Sequence, residues 1–180
     1  GLFIFESCAG TAFDTNGVLH HLGTRGGTRA YQNPHAAGDV VVTSSSVSSG
    51  TLEGFISLTP TNDYNYTREF ANSWFQVDLQ APRRLQVTHY CLRSDVHSGT
   101  HKLRNWRLEG SNDGSQWTTL RNHGNDSSLS DQAHSVAGWA VDSQTAYRYM
   151  RVFQHGKNSY NDDYLVCNGL ELYGDLHDSS

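Results

Sequence analysis

Apolar residues recur with a period of two along most of this chain, and a period of 3.6 is nowhere sustained. "WFQVDL" (74–79) alternates, and "RNWRLEG" (104–110) buries Trp106 and Leu108 while Arg107 and Glu109 point away. "RRLQVTHYCLR" (83–93) sets Leu85, Val87 and Cys91 on one face and Tyr90 and Leu92 on the other. In "YRYMRVFQH" (147–155), Met150 and Val152 oppose Arg151, with Tyr149 and Phe153 on the arginine side. "YLVCNGLELYG" (164–174) breaks phase at Asn168-Gly169, which predicts a bulge there. Further strands are expected at 2–6, 18–22, 39–44, 117–121 and 134–141, and no stretch of a dozen residues reads as an amphipathic helix.

Turn signals punctuate the strands at Asp14–Gly17, Asn112–Gly114, Asn122–Gly124 and Gly156–Asn158. About ten short strands with such spacing predict an all-β sandwich or barrel. Residues 1–174 read as one domain and 175–180 as a polar tail that frays. Long loops at 23–38 and roughly 45–72, with a shorter one from Ser94 to Lys102, are where such a scaffold keeps its function.

Charge narrows the partners. With 13 Lys and Arg against 18 Asp and Glu, the net charge is -5, which speaks against nucleic acid and anionic membrane as ligands. No apolar run is long enough to span a bilayer. Three widely spaced cysteines without a C-x-x-C pair fit neither a disulfide framework nor a zinc knuckle. Reduced thiols in the cytoplasm are expected, although a Cys8–Cys167 bridge stays open. Two sequons, at Asn65 and Asn125, count only in a secreted chain.

The run "WFQVDL … LRNWRLEGSNDGSQWTTL … YRYMRVFQHGKNS … LELYG" is similar to the discoidin family, also called the coagulation factor V/VIII type C family. The likeness is strongest over residues 72–174, and "GSNDGSQW" is its most specific piece, with Trp106 and Trp117 read as core anchors. "FDTNGVLHHLGT…YQNP…VVVTSS" resembles an intracellular branch in which such modules accompany BTB domains or HECT-type ubiquitin ligases. Classical extracellular members end in a cysteine after the last strand, where this chain has Gly174-Asp175. The resemblance implies a galactose-binding-like jelly-roll β-sandwich of antiparallel strands with ligand-gripping loops at one end. Ligands of relatives are sugars, phospholipid headgroups and peptide segments.

"GTRGGTRAYQNPH" (23–35) has the glycines and cations of a phosphate cradle, but lacks the P-loop lysine and spacing, and no helix follows it. Its glycines are read as turn formers. His20 and His21 are adjacent and would face opposite sides of a strand, and His97 and His101 are four apart in a glycine-containing loop, so neither pair reads as a metal site. No nucleophile elbow or paired acids stand out, so the domain is read as non-catalytic. No cofactor is called for; a structural calcium ion, implied by the resemblance, would use Asp39 and Glu171, which otherwise read as ordinary carboxylates.

The ligand-binding set drawn from the loops is Arg25, Arg29, Tyr31 and His35, then Tyr64 and Tyr66. Arg93, His97 and Arg104 border the third loop, and Lys157, Asn158 and Tyr160 lie in "HGKNSYNDDY" (155–164). Aromatic faces beside guanidinium groups suit an acidic peptide carrying an aromatic residue, or a sugar ring. The expected function is recognition of a protein segment within a larger intracellular ubiquitin-ligase or adaptor protein. The alternative is a carbohydrate-binding module of a secreted or surface protein.

Overall fold

In the computed structural model, residues 1–6 and 12–179 are described. Among these residues nine strands form two antiparallel sheets. They are β1 (Leu2–Phe5), β2 (Val41–Ser44), β3 (Trp74–Asp78), β4 (Arg84–Arg93), β5 (Trp106–Ser111), β6 (Thr118–His123), β7 (Val136–Ala140), β8 (Tyr149–Gln154) and β9 (Leu170–His177). One sheet has the order β1-β9-β4-β7 and the other β2-β3-β8-β5-β6. The sheets close over one core, to which Leu85, Tyr90 and Leu172 contribute from the first and Phe75, Trp106 and Val152 from the second. This is the expected jelly-roll sandwich.

The alternation holds in β3, where Phe75 and Val77 are buried, and in β8, where Met150 and Val152 are. It fails in β4. The β4–β9 ladder shifts register between Val87 and His89, so one extra residue, Thr88, reverses the phase. Leu85, Val87, Tyr90 and Leu92 all face the core, and Cys91, expected beside Leu85, is buried on the opposite face. Gly174 opposes this shift with φ +148, and a Cβ there would lie 2.0 Å from the Gln86 carbonyl oxygen. The bulge expected at Asn168-Gly169 is therefore corrected: those residues precede β9.

Three further expectations are corrected. Residues 18–22 form a helix, α1 (Val18–Gly23), whose buried Val18, Leu19 and Leu22 have helical spacing. Six residues are too few for a propensity signal, and α1 is held from outside: Glu171 on β9 accepts hydrogen bonds from Leu19 N (2.8 Å) and His20 N (3.0 Å). Trp106 is a core anchor, but Trp117 is half-buried on the outer face of the second sheet, with Arg151 4.0 Å from its ring centroid. The polar tail begins later than expected, because β9 runs on to His177, pairs with β1 and buries Leu176.

Cys91 and Cys167 are free buried thiols, with burial pushing their pKa values up to about 11 and about 12. Cys8 lies outside the described residues.

Candidate functional site

Antiparallel register decides which loops meet. The ends of β2, β8 and β4 pair with the beginnings of β3, β5 and β9, through Ser44–Phe75, Gln154–Trp106 and Leu92–Leu170. Loops 45–73, 94–105 and 155–169 therefore leave the same end of the sandwich. Buried polar groups stitch them together. Asn65 N donates to Asp95 Oδ2 (2.7 Å) and Asn65 Nδ2 to the Cys167 carbonyl (2.8 Å), while Lys102 N donates to Ser159 Oγ (2.8 Å). The Lys102 ammonium is buried beneath them, donating to Ser94 Oγ, the His97 carbonyl and the Gln132 carbonyl at 2.8 to 3.0 Å. Burial holds its pKa below the ordinary lysine value.

On this base stands a row of rings. Tyr64 meets His97 edge-on at 4.6 Å, His97 stacks on His101 at 5.0 Å, and His101 stacks on Tyr160 at 5.0 Å with planes 13° apart. Tyr66 and Tyr164 flank it, packing against His97 and His101 respectively. The row's two end rings are open to solvent, Tyr64 by 50% and Tyr160 by 60%. Each imidazole is backed by a carboxylate: His97 Nδ1 lies 2.5 Å from Asp95 Oδ1, and His101 Nε2 lies 3.2 Å from Asp162 Oδ2. Burial is the main cause that lowers the His101 pKa, with Asp162 opposing it. His101 has a φ of 61°, a left-handed conformation that its loop imposes. Beside the row, Arg104, Lys157, Asn158 and Asp131 border a polar cleft of about 510 Å³.

The rest of the sequence-derived set has other placements. Arg25 and Arg29 lie at the opposite end, before β2, and both bind Asp39, Arg29 Nη2 at 2.8 Å and Arg25 Nη2 at 3.2 Å. Burial works to raise the Asp39 pKa, but hydrogen bonds and charge from Arg25 and Arg29 hold it below the usual carboxylate value. Tyr31 stacks on His20 with ring centroids 5.6 Å apart, and its ring fills the space a Cβ at Gly23 would need. His35 accepts a hydrogen bond from Val42 N. Arg93 is buried, donates to the carbonyls of Ser57, Leu58 and Asn168, and lies 4.0 Å over the Phe13 ring centroid. It is a clamp between loops. Asn158 is also buried and organises its own turn, binding Asp162 and the Tyr164 carbonyl. Lys157 pairs with Asp163 at 2.7 Å, and Arg104 donates to the Leu129 carbonyl.

Asp39 and Glu171 do not share a cation site, since Asp39 takes two guanidinium groups and Glu171 takes the backbone N–H groups of Leu19, His20 and Leu172. The sequon at Asn65 is unusable in the folded chain, because its side chain is buried and bound to Cys167.

The ligand-binding set drawn from the sequence leaves out Asp95, Asp162, Tyr164 and also His101, which is weighed there only as a metal ligand. The spacing of "HSGTH" (97–101) was the available signal: Gly99 at φ +77 bends the loop so that two imidazoles four residues apart stack.

The F5/8 type C domain matches residues 41–167, and the chain belongs to that family, the discoidin family. It is 38% identical over 170 residues to the E3 ubiquitin-protein ligase Ufd4 of Drosophila melanogaster and 35% identical over 172 residues to the E3 ubiquitin-protein ligase hecd-1 of Caenorhabditis elegans. Those matches take in 90% and 92% of this chain but only 6% of either ligase. A BTB/POZ domain-containing protein of Arabidopsis thaliana is 30% identical, over 89% of this chain and 21% of its own length. These relatives match the intracellular branch expected from the opening residues.

Among solved structures, CBM32-3 from a family 31 glycoside hydrolase of Clostridium perfringens superposes with a TM-score of 0.61 at 14% identity, covering 77% of this chain and 92% of that one. CpGH89CBM32-5 from the same organism, in complex with GalNAc-beta-1,3-galactose, gives 0.59 at 13% identity, over 76% of this chain and 96% of that one. At such identities the likeness is one of fold. The domain itself is non-catalytic, and the ligase activity named for its relatives is said of much longer proteins.

Proposed function

We propose that residues 1 to about 177 form one recognition module of a larger intracellular ubiquitin ligase or adaptor protein, acting in the cytoplasm and binding a protein segment at the aromatic end. The observation that carries this is the row Tyr64–His97–His101–Tyr160, assembled from three loops held by buried hydrogen bonds, with its end rings left in solvent. Exposed tyrosines on a rigid base offer contact area at small entropic cost. Of the sequence-derived set, Tyr64, Tyr66, His97, Arg104, Lys157 and Tyr160 belong to this surface, whereas Arg93 and Asn158 support it from beneath. Two ligases and a BTB protein among the relatives favour the intracellular setting, and the buried Asn65 sequon removes one argument for secretion. Among the described residues no helix is long and apolar enough to cross a membrane.

A carbohydrate reading has one specific support: a structural neighbour carries a bound disaccharide, and the open face of Tyr160 has the form a pyranose stacks on. Affinity capture from cell lysate with wild-type protein and with Tyr64→Ala/Tyr160→Ala, beside a glycan array, separates the two. Partners lost from the double variant, with no saturable glycan binding, are expected. Identical partner lists for the two proteins would sink the aromatic end as the site.

A further inference from the structure

We infer that the aromatic end, if it is the binding surface proposed above, takes a basic side chain, an arginine or a lysine with or without methyl groups, from an extended segment of a partner protein. The sequence had pointed the other way, to an acidic ligand, because arginines and aromatics were expected to converge. Most do not: Arg25 and Arg29 are at the far end on Asp39 and Arg93 is buried on carbonyl groups, while Arg104, at the cleft beside the row, donates to the Leu103 and Leu129 carbonyls and faces Asp131 at 3.8 Å.

What remains around the rings is negative. The two loops that carry the exposed tyrosines, 45–73 and 155–169, hold five carboxylates, Glu53, Asp63, Glu69, Asp162 and Asp163, against Arg68 and Lys157. Lys157 is already paired with Asp163, and Lys102 is sealed beneath the loops by three oxygen acceptors. The carboxylates of Asp95 and Asp162 stand behind the two imidazoles. Asp95 also faces the buried Lys102 ammonium, whereas the Asp162 charge adds to the negative face of the neighbouring Tyr160 ring, so that open face attracts a cation and disfavours a carboxylate. A guanidinium has the shape to stack on such a ring while its N–H groups reach an acid. The row is also long enough for a segment rather than one residue, because two partly buried histidines separate the two exposed tyrosines.

Short peptides identical except for one central residue test this: arginine, its neutral isostere citrulline, trimethyl-lysine, norleucine and glutamate. Binding is followed through the ring resonances of Tyr64 and Tyr160. The arginine and trimethyl-lysine peptides are expected to shift those resonances saturably, with the citrulline and norleucine peptides about tenfold weaker and the glutamate peptide silent. Added salt weakens the first two. Tyr160→Ala and Asp162→Asn each shrink the gap between arginine and citrulline, and Tyr160→Ala leaves the unfolding transition in place. Equal response to arginine and citrulline, a response to glutamate, or no response to any peptide overturns the inference. Glycan binding that shifts the same resonances also overturns it, while leaving the aromatic end standing as a site. Only the unchanged partner list of the double tyrosine variant removes both.

Discussion

The two ends of this sandwich use the same residue types for opposite purposes. At the end that carries Arg25, Arg29 and Arg83, guanidinium groups are consumed internally: Arg25 and Arg29 hold Asp39, and Arg83 donates to the Asp39 carbonyl. At the other end Lys102 is buried on oxygen acceptors, Lys157 is paired with Asp163, and the rings are left open. Composition does not distinguish the ends. The number of acceptors within reach of each cation does, because a guanidinium with a carboxylate at 2.8 Å has little left to offer a ligand.

The sharpest way to break the contrast is to remove the clamp beneath the aromatic end. Arg93→Met leaves three carbonyls without their donor and Phe13 without its cation, and should cost about 3 kcal/mol in denaturant unfolding. It should also abolish partner capture, since loop 45–72 loses its anchor.

Glu171 comes next. Burial raises its pKa from 4.5 to about 7, against the pull of three backbone hydrogen bonds. Its folded pKa is above its unfolded one, so its contribution is complete below pH 4.5 and is lost as pH rises through 7. Relative to Glu171→Gln, wild-type stability should fall by up to about 3 kcal/mol between pH 4.5 and pH 8, measured by urea unfolding at fixed salt. A gap that stays constant with pH would show that Glu171 does not titrate there. His101 and His123, whose values burial lowers, work in the other direction, losing stability as pH falls below 6.5, and they cancel in the difference.

Asp39→Asn tests the arginine end. Its partners are partly exposed, so the loss should stay below about 1 kcal/mol. Capture at the aromatic end should be unchanged. The smallest stability effect belongs to Tyr160→Ala, within about 0.5 kcal/mol because the ring is 60% exposed, although the same change should strongly weaken binding. Loss of stability without loss of binding would make Tyr160 a packing residue.

Much of this architecture was legible in the chain. Strands with one buried face carry their burial in a period of two, so the cores of β3, β5 and β8 could be read directly, as could the turn after β5, where Gly114 has φ +75. Errors arose where a local pattern has a distant cause. Thr88 is one residue too many only in relation to β9, and α1 exists as a helix because a carboxylate 152 residues away caps it. Trp117 has the period of a core residue, but its face of the second sheet is covered by arginine rather than by another layer.

The sequence by itself determined the fold class and the family, because alternation, turn residues and the "GSNDGSQW" signature are local properties. Only the tertiary structure decided which loops share an end. Tyr64, His97 and Tyr160 are far apart in the chain, and antiparallel register alone sets them in one row while sending Arg25 and Arg29 to the opposite end. The sign of charge around the exposed rings follows from that sorting, because electrostatic attraction acts through distance in space and a list of residues does not contain it.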